Sequence, residues 1–399
     1  MKIYEQTVPS LDQVHIKTGM RVMVRADTDV VIVDGKVPDA SRIQAMIPTL
    51  RMLGHAGARI RIIGHLGRPQ DRGKQRLSLA PVGRLLATLL RREVILIEDP
   101  FCEETRQRYG DTADMLLFEN IRFWPGEEKN SLAFAKSLAR WGDIYINEAF
   151  ANCHRAHASM VGLPRLLPAY AGLHLAEEMS VLKRIMENPA RPFVVVFGGA
   201  KVETKIPLIK RFLHEADHVL VGGVLANTLF VSAGKSIGRS LAEKAIANDA
   251  APLIRNKKLV LPIDVLAASG LQANASYQVH VPDEVRADEY IVDIGVATVK
   301  LYSAVIGRAK TIIWNGPVGF AEIPAFAKGT IAVARAMHKS KGFTVVGGGD
   351  TLAALVRYRL MRGFSHISTG GGAMLEFLSG VTLPAIKALE NSTAARPYA

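Results

Sequence analysis

The chain has 399 residues, 49% of them hydrophobic, with 50 lysines and arginines against 37 acids and a formal net charge of +13. That composition excludes a disordered chain and a small stapled scaffold, and at roughly 100–200 residues per domain the length implies two or three domains, with two as the working expectation. Two cysteines, Cys102 and Cys153, are too few for a disulfide framework and point to a reducing cytoplasm. No apolar run approaches the ~18 residues of a membrane span, and Met1-Lys2-Ile3-Tyr4-Glu5-Gln6 lacks the apolar stretch of a secretory signal.

Short β-rich apolar segments alternate with helical patterns from end to end. In the first half, strands are predicted at 21–25, 59–64, 94–98, 115–119 and 144–147, with amphipathic helices at 41–53 and 131–138. Pro164 and Pro168 then precede a long helical pattern over 173–186 that stops at Asn188-Pro189, and it reads as an interdomain helix. In the second half, strands are predicted at 193–197, 218–221, 258–262, 311–314, 344–346 and 366–368, with helices at 203–213 and 331–337. Alternating strand and helix predicts an α/β fold of parallel sheets with helices on both faces. There is no internal repeat or low-complexity tract, and residues 391–399 read as a loose terminus.

The basic excess is spread over both halves, without a basic tail. One block stands out: from Arg51 to Arg92 there are ten Lys/Arg and Asp71 as the single acid. A solvated helix face and loop is preferred there over a patch for RNA or another polyanion, because charge runs are usually solvated.

In open parallel sheets ligands sit outside the carboxyl ends of the strands. Five strand ends of the second half carry glycine: Gly198-Gly199-Ala200-Lys201, Gly222-Gly223, Asn315-Gly316-Pro317, Gly347-Gly348-Gly349-Asp350-Thr351 and Ser368-Thr369-Gly370-Gly371-Gly372. A single glycine turn says little, but five at corresponding positions imply a backbone close to something large, with helix N-termini free to take phosphate. Neither G-x-x-x-x-G-K-[ST] nor a G-x-G-x-x-G after the first strand is present, which argues against P-loop and ordinary dinucleotide enzymes. Asp350 is a candidate for Mg²⁺, Thr351 for a helix cap beside a phosphate, and Lys201 and Lys205 for phosphate oxygens. Standing alone, Asp350-Thr351 would read as an ordinary N-cap. The first half has the complementary feature, with Arg25, Arg42, His65, Arg68, Arg122 and Arg155 at strand ends and loops. Guanidinium forks match phosphate and carboxylate oxygens, so together these predict a cup for an anionic substrate.

In this order the blocks resemble the phosphoglycerate kinase family over nearly the whole length. The resemblance is carried by Arg25-Ala26-Asp27-Thr28-Asp29-Val30, Asp39-Ala40-Ser41-Arg42-Ile43, His65-Leu66-Gly67-Arg68-Pro69, Arg122-Phe123-Trp124-Pro125-Gly126-Glu127-Glu128, His154-Arg155-Ala156-His157, Gly198-Gly199-Ala200-Lys201-Val202, Trp314-Asn315-Gly316-Pro317, Gly347-Gly348-Gly349-Asp350-Thr351 and Ser368-Thr369-Gly370-Gly371-Gly372-Ala373. It implies two Rossmann-like domains facing each other across a cleft that closes by hinge bending. Residues 1–172, with 381–399 returning to them, would form the acceptor domain, and 173–380 the nucleotide domain, 173–188 being the interdomain helix. The implied reaction is reversible phosphoryl transfer between MgATP and the carboxylate of 3-phosphoglycerate, giving 1,3-bisphosphoglycerate and ADP, by a monomeric cytoplasmic enzyme of glycolysis. By the same resemblance Asp27, Asp29, Arg42, His65, Arg68, Arg122 and Arg155 would bind the acceptor. Gly198, Lys201, Lys205, Gly222, Gly223, Asn315, Glu322, Gly348, Gly349, Asp350 and Thr351 would hold the nucleotide, Glu322 at the ribose and Asp350 at Mg²⁺. Arg42, Lys205, Gly349 and Gly372 would act on the transferring group.

Phosphoryl transfer needs positioning and charge stabilisation more than covalent help. A carboxylate acceptor is already ionised at neutral pH, so no general base is needed and His65 reads as a ligand. Several positions depart from the family pattern. Thr28-Asp29-Val30-Val31 replaces Phe-Asn-Val-Pro, placing an acid where the family has an amide. Gly64 stands for Ser, Glu148 for Asp, Ala151 for Gly, Val224 for Gly and Val296 for Pro. Asp29 predicts lost acceptor affinity unless Arg25 or a proton neutralises it, and Val224 a narrower adenine pocket. The alternatives are a kinase of the same scaffold for another small phosphorylated carboxylate, and a nucleotide-binding protein with weak turnover. The joint presence of Arg42, Lys201, Lys205, Asp350 and Thr351 speaks against the second.

Overall fold

A computed structural model describes residues 8–69 and 77–392. The chain forms two compact units, Met1–Ser180 with Gly380–Ala399, and Val181–Ser379.

The first unit holds strands β1 (Arg21–Arg25), β2 (Arg59–Ile63), β3 (Ile95–Ile97), β4 (Met115–Phe118), β5 (Ile144–Asn147) and β6 (Ala169–Ala171) in one parallel sheet, ordered β3-β4-β2-β1-β5-β6. Its strands read as apolar runs because helices cover both faces. Val22, Val24, Ile60, Ile62 and Leu117 pack with Ile43, Leu50 and Leu53 of the helix Ser41–His55 and with Val82 and Leu86 of the helix Ala80–Leu90. Helix Leu173–Glu187 carries the boundary between the units. Helix Pro384–Glu390 lies on the first unit, where Ala385 N–H donates to Cys153 O at 3.1 Å and the Ser392 hydroxyl accepts from Ala169 N–H at 2.8 Å. Of the terminal stretch 391–399, residues 393–399 lie outside the described residues.

The basic block from Arg51 to Arg92 is corrected at its centre. Arg61 is fully buried in β2, donating to Gly110 O at 2.7 Å and Ala113 O at 2.9 Å, and burial lowers its pKa to about 10. A mid-strand arginine is tolerated because carbonyls take both of its terminal nitrogens, while its Nε is buried without a hydrogen-bond partner among the described residues. Arg51, Arg84 and Arg92 also donate to carbonyls of their own unit, those of Leu89, Gly35 and Gly54. Asp71, Arg72, Lys74 and Arg76 lie outside the described residues.

The second unit holds β7 (Phe193–Phe197), β8 (His218–Val221), β9 (Leu259–Val260), β10 (Val265–Ala268), β11 (Tyr277–His280), β12 (Tyr290–Ile294), β13 (Thr311–Asn315), β14 (Phe343–Gly347) and β15 (His366–Ser368). Six form a parallel sheet ordered β15-β14-β13-β7-β8-β9, which read from β9 is the doubly wound order 3-2-1-4-5-6. Val194, Val196, Ile312, Trp314 and Val346 form its core with Tyr302, Ile306, Val333 and Met337. The expectation of parallel sheets alone is incomplete, because β11-β10-β12 is a separate antiparallel sheet. Its edge strand β11 is exposed over Tyr277, Gln278 and Val279, so no apolar run announces it.

Candidate active site

In the first unit, Arg25 of β1 pairs with Ile63 of β2 and Asn147 of β5, so the loops after these strands share one edge of the sheet. Asp27, nearly buried, accepts from Arg42 Nη1 at 3.1 Å. Asp29 Oδ1 accepts the Gly67 N–H at 2.9 Å, and its Oδ2 lies 3.7 Å from His65 Nε2. Beside them opens a cavity of about 540 Å³ lined by Asp29, Leu66, Gly67, Arg68, Arg122 and Arg155. Arg122 is held by Gly67 O, 2.8 Å from Nη1, and by Glu128, 3.4 Å from Nε, while its Nη2 is buried without a hydrogen-bond partner among the described residues. Burial and then Arg155 lower the Arg122 pKa to about 10, still a full cation at neutral pH. Burial, then the charges of Arg25, Arg122 and Arg155, hold His65 well below the usual imidazole range, so it is neutral at physiological pH.

Arg25 was expected in the cup and is not there. It is 1% exposed and is spent on Ser159 Oγ at 2.9 Å, His65 Nδ1 at 3.1 Å and the Ala26 carbonyl. It therefore does not neutralise Asp29.

Two departures are one exchange. The Thr28 hydroxyl donates to His65 O at 2.8 Å and occupies the space where a side chain at Gly64 would begin. Glu148, buried at the end of β5, accepts from the Thr49 hydroxyl and from the Leu175 N–H at 3.1 Å, in the first turn of helix Leu173–Glu187. Burial raises its pKa to about 7.

In the second unit Asn315 of β13 pairs with Phe197 of β7 and Gly347 of β14, Phe197 with Val221 of β8, and Gly347 with Ser368 of β15. All five glycine-bearing strand ends thus lie along one edge. Four of these glycines answer to neighbouring protein atoms, so space for a ligand is not the reason for glycine at every one of the five strand ends. A side chain at Gly198 would strike the Pro317 carbonyl, at Gly316 the Gly198 carbonyl, at Gly222 Val318 and at Gly223 the Gly199 nitrogen. At Gly349 and Gly371 an added carbon meets open space, so packing does not demand glycine there. Gly348 has φ +99°, a conformation that glycine alone adopts readily.

Lys205 is nearly buried and donates to Gly198 O at 2.5 Å; burial, opposed by nearby Asp350, lowers its pKa to about 8. Asn315 Nδ2 is buried without a hydrogen-bond partner among the described residues. Thr351 is fully buried and its hydroxyl accepts the Gly316 N–H at 2.7 Å. Helix Gly349–Arg357 takes Gly348 as N-cap with no side-chain cap, so Asp350-Thr351 is not the cap. Lys201 and Asp350 are exposed, and Gly372 opens the helix Gly372–Leu378. A cavity of about 340 Å³ adjoins Gly199, Gly223, Glu322 and Asp350, a volume within the range of small-ligand sites. Its apolar walls are Val224, Phe230, Leu241, Leu271, Tyr290 and Val292. Apart from Val224 these were missed, since lone apolar residues carry no motif. Asp293 also lines it, buried, accepting N–H of Gly329 at 2.7 Å and of Ile294 at 2.9 Å, and burial raises its pKa to about 7.

Among the described residues no group of three or more His, Cys, Asp or Glu is placed to hold a metal. Mg²⁺ is commonly held by one or two carboxylates together with substrate phosphates, and the exposed Asp350 beside the cavity fits that mode. Among the described residues no helix is long and apolar enough to cross a membrane.

A sequence profile described as Phosphoglycerate kinase matches residues 11–381. The phosphoglycerate kinase of Methylorubrum populi is 40% identical over 391 residues, 95% of this chain and 98% of that protein. The phosphoglycerate kinase of Moorella thermoacetica is 42% identical over 376 residues, 92% and 96% of the two chains. Among solved structures, phosphoglycerate kinase from Coxiella burnetii superposes with a TM-score of 0.84 at 40% identity, covering 96% of this chain and 99% of that one. The Pyrococcus horikoshii enzyme gives 0.85 at 30% identity, covering 96% and 98%.

Proposed function

Because the chain belongs to the phosphoglycerate kinase family, we propose that its two strand-end sites perform, step by step, the reversible phosphoryl transfer between ATP and the carboxylate of 3-phosphoglycerate. The observation that carries the residue assignment is a set of buried donors without a hydrogen-bond partner among the described residues, His65 Nε2 and Arg122 Nη2 in the first unit and Asn315 Nδ2 in the second. Buried donors are normally satisfied; Arg61 Nε in mid-strand is likewise without a partner among the described residues, but these three sit at the strand-end loops, where oxygen atoms of a ligand would complete them.

In the first unit the acceptor lies in the cavity of Arg68, Arg122 and Arg155, which take its anionic oxygens, while His65 donates from Nε2. Arg42, held by Asp27, stabilises the charge of the phosphoryl group as it passes to the acceptor carboxylate. In the second unit the adenine lies against Val224, Phe230 and Leu241 and the ribose at Glu322. Lys201, Lys205, Asn315 and the backbone of Gly198, Gly222, Gly223, Gly348 and Gly349 face the phosphates, with Gly349 and Gly372 presenting N–H groups toward the transferring group. Thr351 acts from behind, fixing the Gly316 turn. Asp350 would hold Mg²⁺, which when bound would neutralise phosphate charge. The acceptor carboxylate is already ionised, so charge stabilisation suffices without a base.

A coupled assay with MgATP and 3-phosphoglycerate tests this. Turnover is expected; binding of MgADP without turnover overturns the assignment. Asp29 at the acceptor cavity favours a second reading, a related phosphorylated carboxylate as acceptor, which a higher kcat/KM for such a compound would establish. We also place the enzyme in the cytoplasm as a monomer, in keeping with two free thiols; a dimer in sedimentation would refute the latter.

A further inference from the structure

We propose that a buried chain of side chains, Glu127, Ser159 and Arg25, fixes His65 as the neutral tautomer protonated on Nε2, so that the acceptor meets a hydrogen-bond donor and never a base. This rests on the reading above that His65 contacts the acceptor.

The chain begins at Glu127, which is fully buried. Its Oε1 accepts the Ser159 hydroxyl at 2.6 Å and its Oε2 accepts the Ser159 N–H at 2.9 Å. With that hydroxyl proton committed, Ser159 Oγ offers lone pairs, and Arg25 Nε donates to it at 2.9 Å. Arg25 Nη1 goes to the Ala26 carbonyl, and Nη2 lies 3.1 Å from His65 Nδ1. A guanidinium has five donors and no acceptor, so Nδ1 must present its lone pair. On a neutral ring the proton is then on Nε2. A proton on Nδ1 would set two donors head to head in a site closed to water.

Nε2 is buried without a hydrogen-bond partner among the described residues. Asp29 Oδ2, at 3.7 Å, is too far to accept from it, and Asp29 Oδ1 is occupied by the Gly67 N–H. An oxygen entering the cavity completes the ring's bonding. Arg25, Arg122 and Arg155 near the ring are cations that disfavour an imidazolium, as does burial, while the neighbouring His157, itself held down to about 4 by burial and then by Arg122, is neutral at physiological pH. Burial also pushes the Glu127 carboxyl up, and Arg25 and the two Ser159 donors oppose that rise. Glu127, Ser159 and Arg25 are thus positioning residues, remote from the reacting atoms and acting through His65.

The test is ¹⁵N NMR of histidine-labelled full chain, combined with kinetics. In the wild type His65 is expected as the Nε2–H tautomer from pH 6 to 8.5, with its ring nitrogens shifting on addition of 3-phosphoglycerate. Ser159→Ala is expected to mix the tautomers and raise KM for 3-phosphoglycerate about tenfold, leaving KM for MgATP unchanged, and Ser159→Thr to restore both. A wild-type His65 protonated on Nδ1, or titrating near pH 6.5, overturns the proposal, and needs no variant to fold. A Ser159→Ala defect without a tautomer change also overturns it. The expected tautomer with resonances indifferent to 3-phosphoglycerate overturns instead the placement of His65 at the acceptor, so the two failures are distinguishable.

Discussion

Asp29→Asn isolates the one acid, among the described residues lining the proposed acceptor cavity, that opposes an anion. Two unit charges 4 Å apart interact by about 1 kcal/mol in bulk water and about 4 kcal/mol at a surface dielectric of 20. The Asp29 side chain is 41% exposed, which places it toward the lower figure. Arg68, Arg122 and Arg155 line the same cavity and offset part of the repulsion in both forms of the protein. A net gain of about 1–2 kcal/mol follows, a fall of roughly 5–30-fold in KM for 3-phosphoglycerate. The asparagine keeps an oxygen to accept the Gly67 N–H, so the loop geometry survives. KM for MgATP should not change, since Asp29 lines only the first unit's cavity. Raising the ionic strength should shrink the difference between the two proteins, because the charge is screened. Steady-state kinetics at two salt concentrations read all three quantities. An unchanged or higher KM in Asp29→Asn would refute the repulsion argument, and show that the carboxylate accepts a bond from the substrate.

Lys205 must be protonated to face phosphate, and burial sets its pKa at about 8. Hence kcat/KM for MgATP, which reports the free enzyme, should fall as pH rises past about 8, and Lys205→Gln should remove that limb along with most activity; a flat profile to pH 9.5 speaks against it. Glu148 and Asp293 titrate near 7 when folded, above their ordinary carboxyl values. The stability they contribute is therefore complete at low pH and lost as pH rises through about 7, by up to ~1.4 kcal/mol per pH unit for each group. Urea midpoints from pH 5 to 8 should slope less in Glu148→Gln, and equal slopes would contradict this. Gly64→Ser should cost about 1–3 kcal/mol through collision with Thr28, and Thr28→Ala/Gly64→Ser should recover most of it; additive losses in a double-mutant cycle would show the two positions to be independent.

Apart from the three-residue β6, the strands of the two parallel sheets were legible because they are short apolar runs ending in turn residues, a pattern that buried strands show. β11 was not, because an exposed edge strand such as Tyr277–His280 has no apolar face to declare it. With it went the walls of the nucleotide cavity, Leu271, Tyr290 and Val292, whose significance lies only in where the small sheet puts them. Three of the arginines picked out in the first half, Arg68, Arg122 and Arg155, do line one cavity. Orientation was not legible: Arg25 and Arg122 look alike in sequence, yet one is consumed behind His65 and the other faces the cavity. The glycines misled in a similar way, since a need for space does not say whether a ligand or a neighbouring loop takes it.

The departures from the family pattern differ in kind once their surroundings are compared. Thr28 and Gly64 exchange volume with each other, and the Thr28 hydroxyl holds the carbonyl of His65, so the loop that carries this ligand is still anchored. Glu148, one methylene longer than the usual aspartate, still reaches Thr49 and the first turn of helix Leu173–Glu187, and Gly172 leaves room for it. Both changes are absorbed by protein atoms and leave no bond open. Asp29 is different: its carboxylate finds the Gly67 N–H, but the cations of the cavity are those the motifs already supply, and Arg25 is engaged elsewhere. Among the described residues lining the cavity an acid is gained without a cation gained, a change that bears on what the cavity binds. Selection for a different acceptor would leave that trace, and so would tolerance of a weaker one. Acceptor specificity measured on wild type and Asp29→Asn separates them, because only the first predicts that the wild type prefers some other phosphorylated carboxylate to 3-phosphoglycerate.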